Sequence, residues 1–237
     1  MTALEKAGSA QTRKIYLRHG GTEPMFGVSF ATQKALYKKI RQDHALAVAL
    51  WKTGNLDARL LAVKIADPAK LTSRDLDRWV KEGGDRMMRA YLASLVADGP
   101  LGPTKLAEWL SRPKGPEKCT GWSLLATLAM RDAQIPDAQF AEYLETIERT
   151  IHTAPNEERE GMLNAVIAIG CRSAELRKAA TAAAKRIGQV EIDYGETDCK
   201  TPDVVPAIDK AWVHSTSKGF ASPAAHERSR ESMRLRC

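Results

Sequence analysis

The spacing of apolar residues and chain breakers leaves this chain few architectures. From residue 29 onward, segments with apolar side chains at helical spacing alternate with short Gly, Pro and Asp punctuation. Ser29 can cap a helix running through Leu36 and Ile40, and Asp43 the next, with Leu46, Leu50 and Trp51 on one face. Gly54-Asn55 ends it, and Leu56, Leu60, Val63 and Ala66 mark a third, stopped by Asp67-Pro68. Thr72 with Asp75 forms a capping pattern before Leu76, Trp79 and Val80. Gly83-Gly84 breaks the chain, and Met87, Met88, Tyr91, Leu92 and Leu95 begin again. The second half repeats the rhythm around Trp109, Trp122, Phe140–Ile151, Met162–Ile169 and Leu176–Ile187. Two-helix units recur at roughly 30–40 residues, the range of helical repeats. The reading is an all-α protein: antiparallel helix pairs stacked into a helical-repeat superhelix, an α-α solenoid. Residues 1–214 form the repeat domain, with an extended loop at 189–202 and a last helix that Pro206 is expected to disturb. Residues 215–237 are rich in Ser, Ala and Arg without an apolar period, and read as a basic, mobile tail.

Composition agrees. Aromatics are 6% of the chain, low for sheets and suited to close helix packing. No apolar run reaches the roughly 18–20 residues of a membrane span, so no membrane partner is expected. The N-terminus lacks the apolar core of a signal peptide. Four widely spaced cysteines without a CxxC pair read as reduced thiols of a cytoplasmic protein. The net charge is +7. Residues 1–70 hold 12 Lys/Arg against 5 Asp/Glu, whereas residues 71–237 hold 24 of each. The excess sits in the first third, where it either attracts a polyanion or simply solubilises.

Several short segments together resemble one family. They are Tyr16-Leu-Arg-His-Gly-Gly, Phe26-Gly-Val-Ser, the helix end Lys38-Lys39-Ile40, Ala49-Leu50-Trp51-Lys-Thr-Gly and Asp57-Ala-Arg59-Leu-Leu-Ala. As a set they resemble the bacterial DNA alkylation repair enzymes, the HEAT-like-repeat DNA glycosylases. The likeness is best over residues 16–66, and the helix rhythm continues to about 213. The resemblance implies a HEAT-like stack that holds duplex DNA through its backbone; a monomer is expected, although the sequence does not fix the oligomeric state. It also implies excision of N3- or N7-alkylated purines without metal or cofactor. In such chemistry a carboxylate stabilises the developing cationic sugar and aromatic faces meet the cation.

The family's functional positions are altered in this sequence. Its Trp-x-x-x-Asp pattern falls on Asp85-Arg86-Met87-Met88-Arg89, placing Asp85 at the Trp position and Arg89 at the Asp position. Its Arg-Arg pair falls near Thr120-Gly121, and its second Trp on Cys171. Asp85 is the candidate catalytic carboxylate, with Asp77 the other one nearby, and the plainer reading of both is that they cap a helix or pair with a nearby Arg. Lys34, Lys38, Lys39, Arg59, Arg86 and Arg89 are candidate phosphate contacts, as is Lys64. Trp122 is a candidate replacement aromatic, although its spacing also fits the core. The loop 193–200 matches no established set of metal ligands. Two functions stay open: a DNA-binding member of the repair family with altered or absent glycosylase activity, and a HEAT-like scaffold for a protein partner.

Overall fold

The structure, a computed structural model, describes residues 1–236. Among them the chain forms α1 (Thr2–Ala7), α2 (Ala10–Arg18), α3 (Phe30–Ile40), α4 (His44–Lys52) and α5 (Leu56–Ile65). There follow α6 (Ser73–Gly83), α7 (Arg89–Ala97), α8 (Gly102–Leu110), α9 (Pro116–Arg131) and α10 (Asp137–Thr150). The chain closes with α11 (Asn156–Gly170), α12 (Ala174–Ile187), α13 (Val204–Thr216), α14 (Pro223–Arg228) and α15 (Met233–Arg236). The start signals act as the sequence expects. Ser29 accepts the Thr32 N–H, Asp43 that of Leu46, and Thr72 with Asp75 forms a reciprocal capping box. Each satisfies a backbone donor that the first turn leaves unpaired.

Two layers result. Helices α3, α5, α7, α9, α11 and α13 pack successively on one another, and α4, α6, α8, α10 and α12 cover them. Because each covering helix reverses the chain, the inner helices run parallel. Their ends therefore define two edges. On one edge lie the C-termini: Asp98 at the end of α7 pairs with Arg131 at the end of α9. Arg172, at the end of α11, donates to the Ala129 carbonyl of α9. On the other edge lie the heads of α7, α9 and α11. The core between the layers is large and aromatic in places. Trp51 and Trp79 stack with ring centroids 4.2 Å apart, and Trp109 is fully buried. All three are packing residues, as their spacing suggests.

Three expectations need correction. The described part of the tail, residues 215–236, is helical and packed rather than without regular structure; position 237 lies outside the described residues. It folds back along the C-terminal edge, α14 against α9 and α13, and α15 against α3, α5 and α7. Its arginines hold it there. Arg234 is buried, donates to the Val63 and Lys64 carbonyls at 2.7 and 2.9 Å, and pairs with Asp98 at 2.7 Å. A guanidinium at a helix C-terminus meets unpaired carbonyls and the negative end of the dipole. A low-apolar, Arg-rich segment can thus be ordered by helix ends rather than by an apolar stripe. Second, Pro206 does not disturb α13, because it sits in the first turn, where its missing N–H has no intrahelical partner. Third, α1 and α2 precede the first helix read from the sequence.

Candidate nucleic-acid interface

The segments that carry the family resemblance build one corner of this site. Asp57, in the first turn of α5, is fully buried. Its carboxylate accepts three consecutive backbone N–H groups, from Phe26 at 2.6 Å, Gly27 at 3.0 Å and Val28 at 2.8 Å. Gly27 has φ +78°, and a Cβ there would lie 2.5 Å from the Ser9 carbonyl oxygen. The Phe26-Gly-Val-Ser and Asp57 motifs are thus two halves of one anchor. The anchored loop then reaches the head of α7, where the Thr22 hydroxyl donates to Asp85 Oδ2 at 3.0 Å.

Asp85 opens the turn that leads into α7. Its Oδ1 accepts the Met88 N–H at 2.9 Å. Burial raises the Asp85 carboxyl above the ordinary carboxylate range, opposed by the Met88 and Thr22 hydrogen bonds. Arg86 turns the other way. Its guanidinium chelates Glu160 of α11 at 2.9 and 3.3 Å and lies 4.8 Å from the centroid of the Tyr194 ring. Arg89 donates to the Gly84 carbonyl at 3.2 Å and to the Glu157 carbonyl at 3.0 Å. Helices α9 and α11 meet closely because Gly161 leaves room; a Cβ there would sit 2.8 Å from Trp122 Cβ. Asn156 and Arg159 bind the loop backbone at Asp193 and Glu191, bringing Tyr194 and Cys199 alongside.

The outcome is a cavity of about 290 Å³ at the heads of α7, α9 and α11, bordered by His19, Arg86, Arg89, Glu157, Glu160 and Cys199. Among the described residues no Trp, Tyr or Phe lines it, and neither does Asp85. A second cavity, of about 270 Å³, lies between α4, α5 and α6 and carries Lys52, Arg59, Arg78 and Glu82. Arg59 donates to the Glu82 carbonyl at 2.8 Å and lies 5.0 Å from the Trp51 ring centroid.

The candidate residues therefore divide. Asp85, Arg86 and Arg89 come together at the head of α7, and Arg59 reaches the adjoining end of α6. Trp122 does not join them: it is 3% exposed, and its indole N–H donates to buried Glu158 at 2.9 Å. Lys64 is buried, donates to the Arg234 carbonyl at 2.7 Å and lies over Tyr91, so it offers no cation to a phosphate. Asp77 is taken up by buried Lys105 and the Trp109 indole, each at 2.8 Å. Lys34, Lys38 and Lys39 belong to α3, whose last turn holds Lys38 and Lys39. That turn lies at the opposite edge, because Asp43, three residues past the end of α3, donates its backbone N–H to the Ile65 carbonyl at the end of α5. Glu160 carries no signal in the sequence, and His19 and Tyr194 stand there only within the Tyr16-Leu-Arg-His-Gly-Gly segment and the 193–200 loop, with no role attached. Arg86 and Tyr194 are 108 residues apart, and no local spacing marks such a pair.

The thiols give a simple check on this geometry. Burial raises the Cys119 thiol pKa and takes that of Cys171 up to about 11, whereas Cys199 is exposed. Under native conditions an alkylating reagent is expected to label Cys199 ahead of Cys119 and Cys171. Peptide mass mapping reads the order, and early labelling of Cys171 would contradict the packing of α11.

The architecture is that of a HEAT-like helical-repeat protein. Residues 1–189 match the family described as DNA alkylation repair enzyme, and the chain belongs to that family. Two similar proteins are from Listeria: the uncharacterised proteins Lin0241 of Listeria innocua and Lmo0209 of Listeria monocytogenes. Each is 26% identical over 217 residues, 89% of this chain and 94% of the relative. A solved structure described as "a new family of proteins related to the HEAT-like repeat DNA glycosylases with affinity for branched DNA structures" superposes with a TM-score of 0.82. It is 27% identical and is covered to 93%, against 92% of this chain.

Proposed function

We propose that this protein binds DNA through the phosphate backbone at the heads of α7, α9 and α11, branched DNA included, and does not excise alkylated bases. The observation that carries this reading is the lining of the 290 Å³ cavity. It presents two guanidiniums, Arg86 and Arg89, and, among the described residues, no Trp, Tyr or Phe side chain. Its carboxylates come from Glu157 and Glu160, and Arg86 already chelates Glu160. A cationic alkylpurine placed there has no Trp, Tyr or Phe face to meet and lies beside the Arg89 guanidinium, which repels it, while Glu160 is already paired with Arg86. A phosphate meets the reverse: guanidiniums that suit its geometry and the positive ends of three helices.

The affinity described for the superposed structure supports branched DNA as one target. Asp85 is read here as a helix-opening residue, since both its oxygens are engaged by Met88 and Thr22. Duplex DNA containing N7-methylguanine is expected to be bound by the protein and to release no free base. Base release above the spontaneous rate, abolished by Asp85→Asn, would overturn the non-catalytic half of this reading. Failure to bind either duplex or junction would overturn the other half.

A further inference from the structure

The basic first third of the chain is not spent at the cavity. Lys34, Lys38, Lys39 and Arg41 lie on α3 or just beyond it, and none has a side-chain hydrogen bond or ion pair among the described residues. Lys38, Lys39 and Arg41 are exposed, and Lys34 is partly so. The buried face of α3 is taken by Phe30, Gln33, Leu36, Tyr37 and Ile40, which turns the cations outward. Lys34 and Lys38 are four residues apart, so they sit one above the other on one flank, about 6 Å apart at Cβ. Arg86 and Arg89, by contrast, are partly buried and tied to Glu160, Gly84 and Glu157.

Position separates the two groups further. Lys38 and Lys39 stand where the inner helices end, next to the docked α15, whereas Arg86 and Arg89 stand where α7 begins. The parallel inner helices fix that separation: α3, at 11 residues, spans about 16 Å at about 1.5 Å per residue. The two clusters are also two repeats apart along the stack. Resting on the DNA-binding reading above, we infer that the α3 cations form a second phosphate-binding surface. It holds a second duplex arm when a branched DNA occupies the Arg86–Arg89 edge. A single straight duplex at the cavity leaves this surface in solvent, and a branch supplies the arm that reaches it. The partner is recognised by backbone charge alone, one phosphate per 1.7 Å of duplex axis, so no base sequence is selected.

The test compares a four-way junction with a linear duplex of the same arm sequence, by fluorescence anisotropy between about 50 and 200 mM salt. The triple variant Lys34→Gln, Lys38→Gln, Lys39→Gln is expected to lose about tenfold or more in junction affinity, its salt slope falling by about 2–3. Its linear-duplex affinity should change less than about twofold. The charge-reversed variant Lys38→Glu, Lys39→Glu provides a second reading at exposed positions, and thermal melts of both variants report folding. Equal losses on the two substrates would overturn the inference by placing these lysines on a single duplex track. No loss on either would overturn it by making them a solvated face. If the unaltered protein binds neither substrate, the DNA-binding reading itself fails, an outcome distinct from both.

Discussion

Arg234→Ala is expected to destabilise the protein by roughly 3–5 kcal/mol, the usual consequence of breaking a buried, fully bonded charge pair. The side chain is 7% exposed. It joins the end of α5, through the Val63 and Lys64 carbonyls, to Asp98 at the end of α7. Without it, Asp98 keeps, among the described residues, the Arg131 contact at 3.8 Å as its ion pair. Lys64 also depends on the tail, since its ammonium donates to the Arg234 carbonyl. For a chain of this size about 1 kcal/mol shifts the melting point by roughly 2–4 °C, so a drop of about 10 °C is expected in a thermal scan. Truncation after Gly219 should cost at least as much, because it removes the arginines and re-exposes the helix ends. A melting point unchanged by either alteration would restore the mobile tail that composition suggests.

Asp57→Ala is expected to be of similar size, about 3–5 kcal/mol, because three backbone N–H groups, those of Gly27 and Val28 buried, lose a charged acceptor. Asp57→Asn should cost less, since one amide oxygen can still accept. The local consequence is specific. Phe26, Gly27 and Val28 would detach, and with them the loop that places Thr22 against Asp85. Hydrogen exchange should therefore speed up at residues 22–28 ahead of α9 and α11. Uniform loss of protection across the chain would argue against a local anchor.

These two residues also mark what the sequence yields and what it withholds. Asp57 and Phe26-Gly-Val-Ser stand out as motifs, yet only the fold reveals that one holds the other. The helix boundaries were legible at Ser29, Asp43 and Thr72, because caps are local chemistry. The stacking of antiparallel helix pairs followed from the apolar spacing, whereas the assignment of helices to inner and outer layers came from the fold. The tail was illegible because its order comes from carbonyls at helix ends up to 171 residues away, and no periodicity records such partners. The site was half legible. Arg86 and Arg89 were found through the resemblance, whereas Glu160 and Tyr194, which orient Arg86, come from α11 and the loop beyond it. Trp122 and Lys64 misled for a common reason: an indole or an ammonium can be buried where the fold brings partners to it, Glu158 to the Trp122 indole and the Arg234 carbonyl and Tyr91 ring to the Lys64 ammonium.

The central claim is that the heads of α7, α9 and α11 meet phosphate rather than a damaged base. The most direct measurement is the affinity for undamaged linear duplex across a salt series, for the unaltered protein and for Arg89→Gln. A backbone binder should lose affinity linearly on a log–log plot, with a slope of about −0.9 for each phosphate neutralised. Arg89→Gln should reduce that slope by about 1. A flat response to salt, or a slope unchanged by Arg89→Gln, would contradict the account.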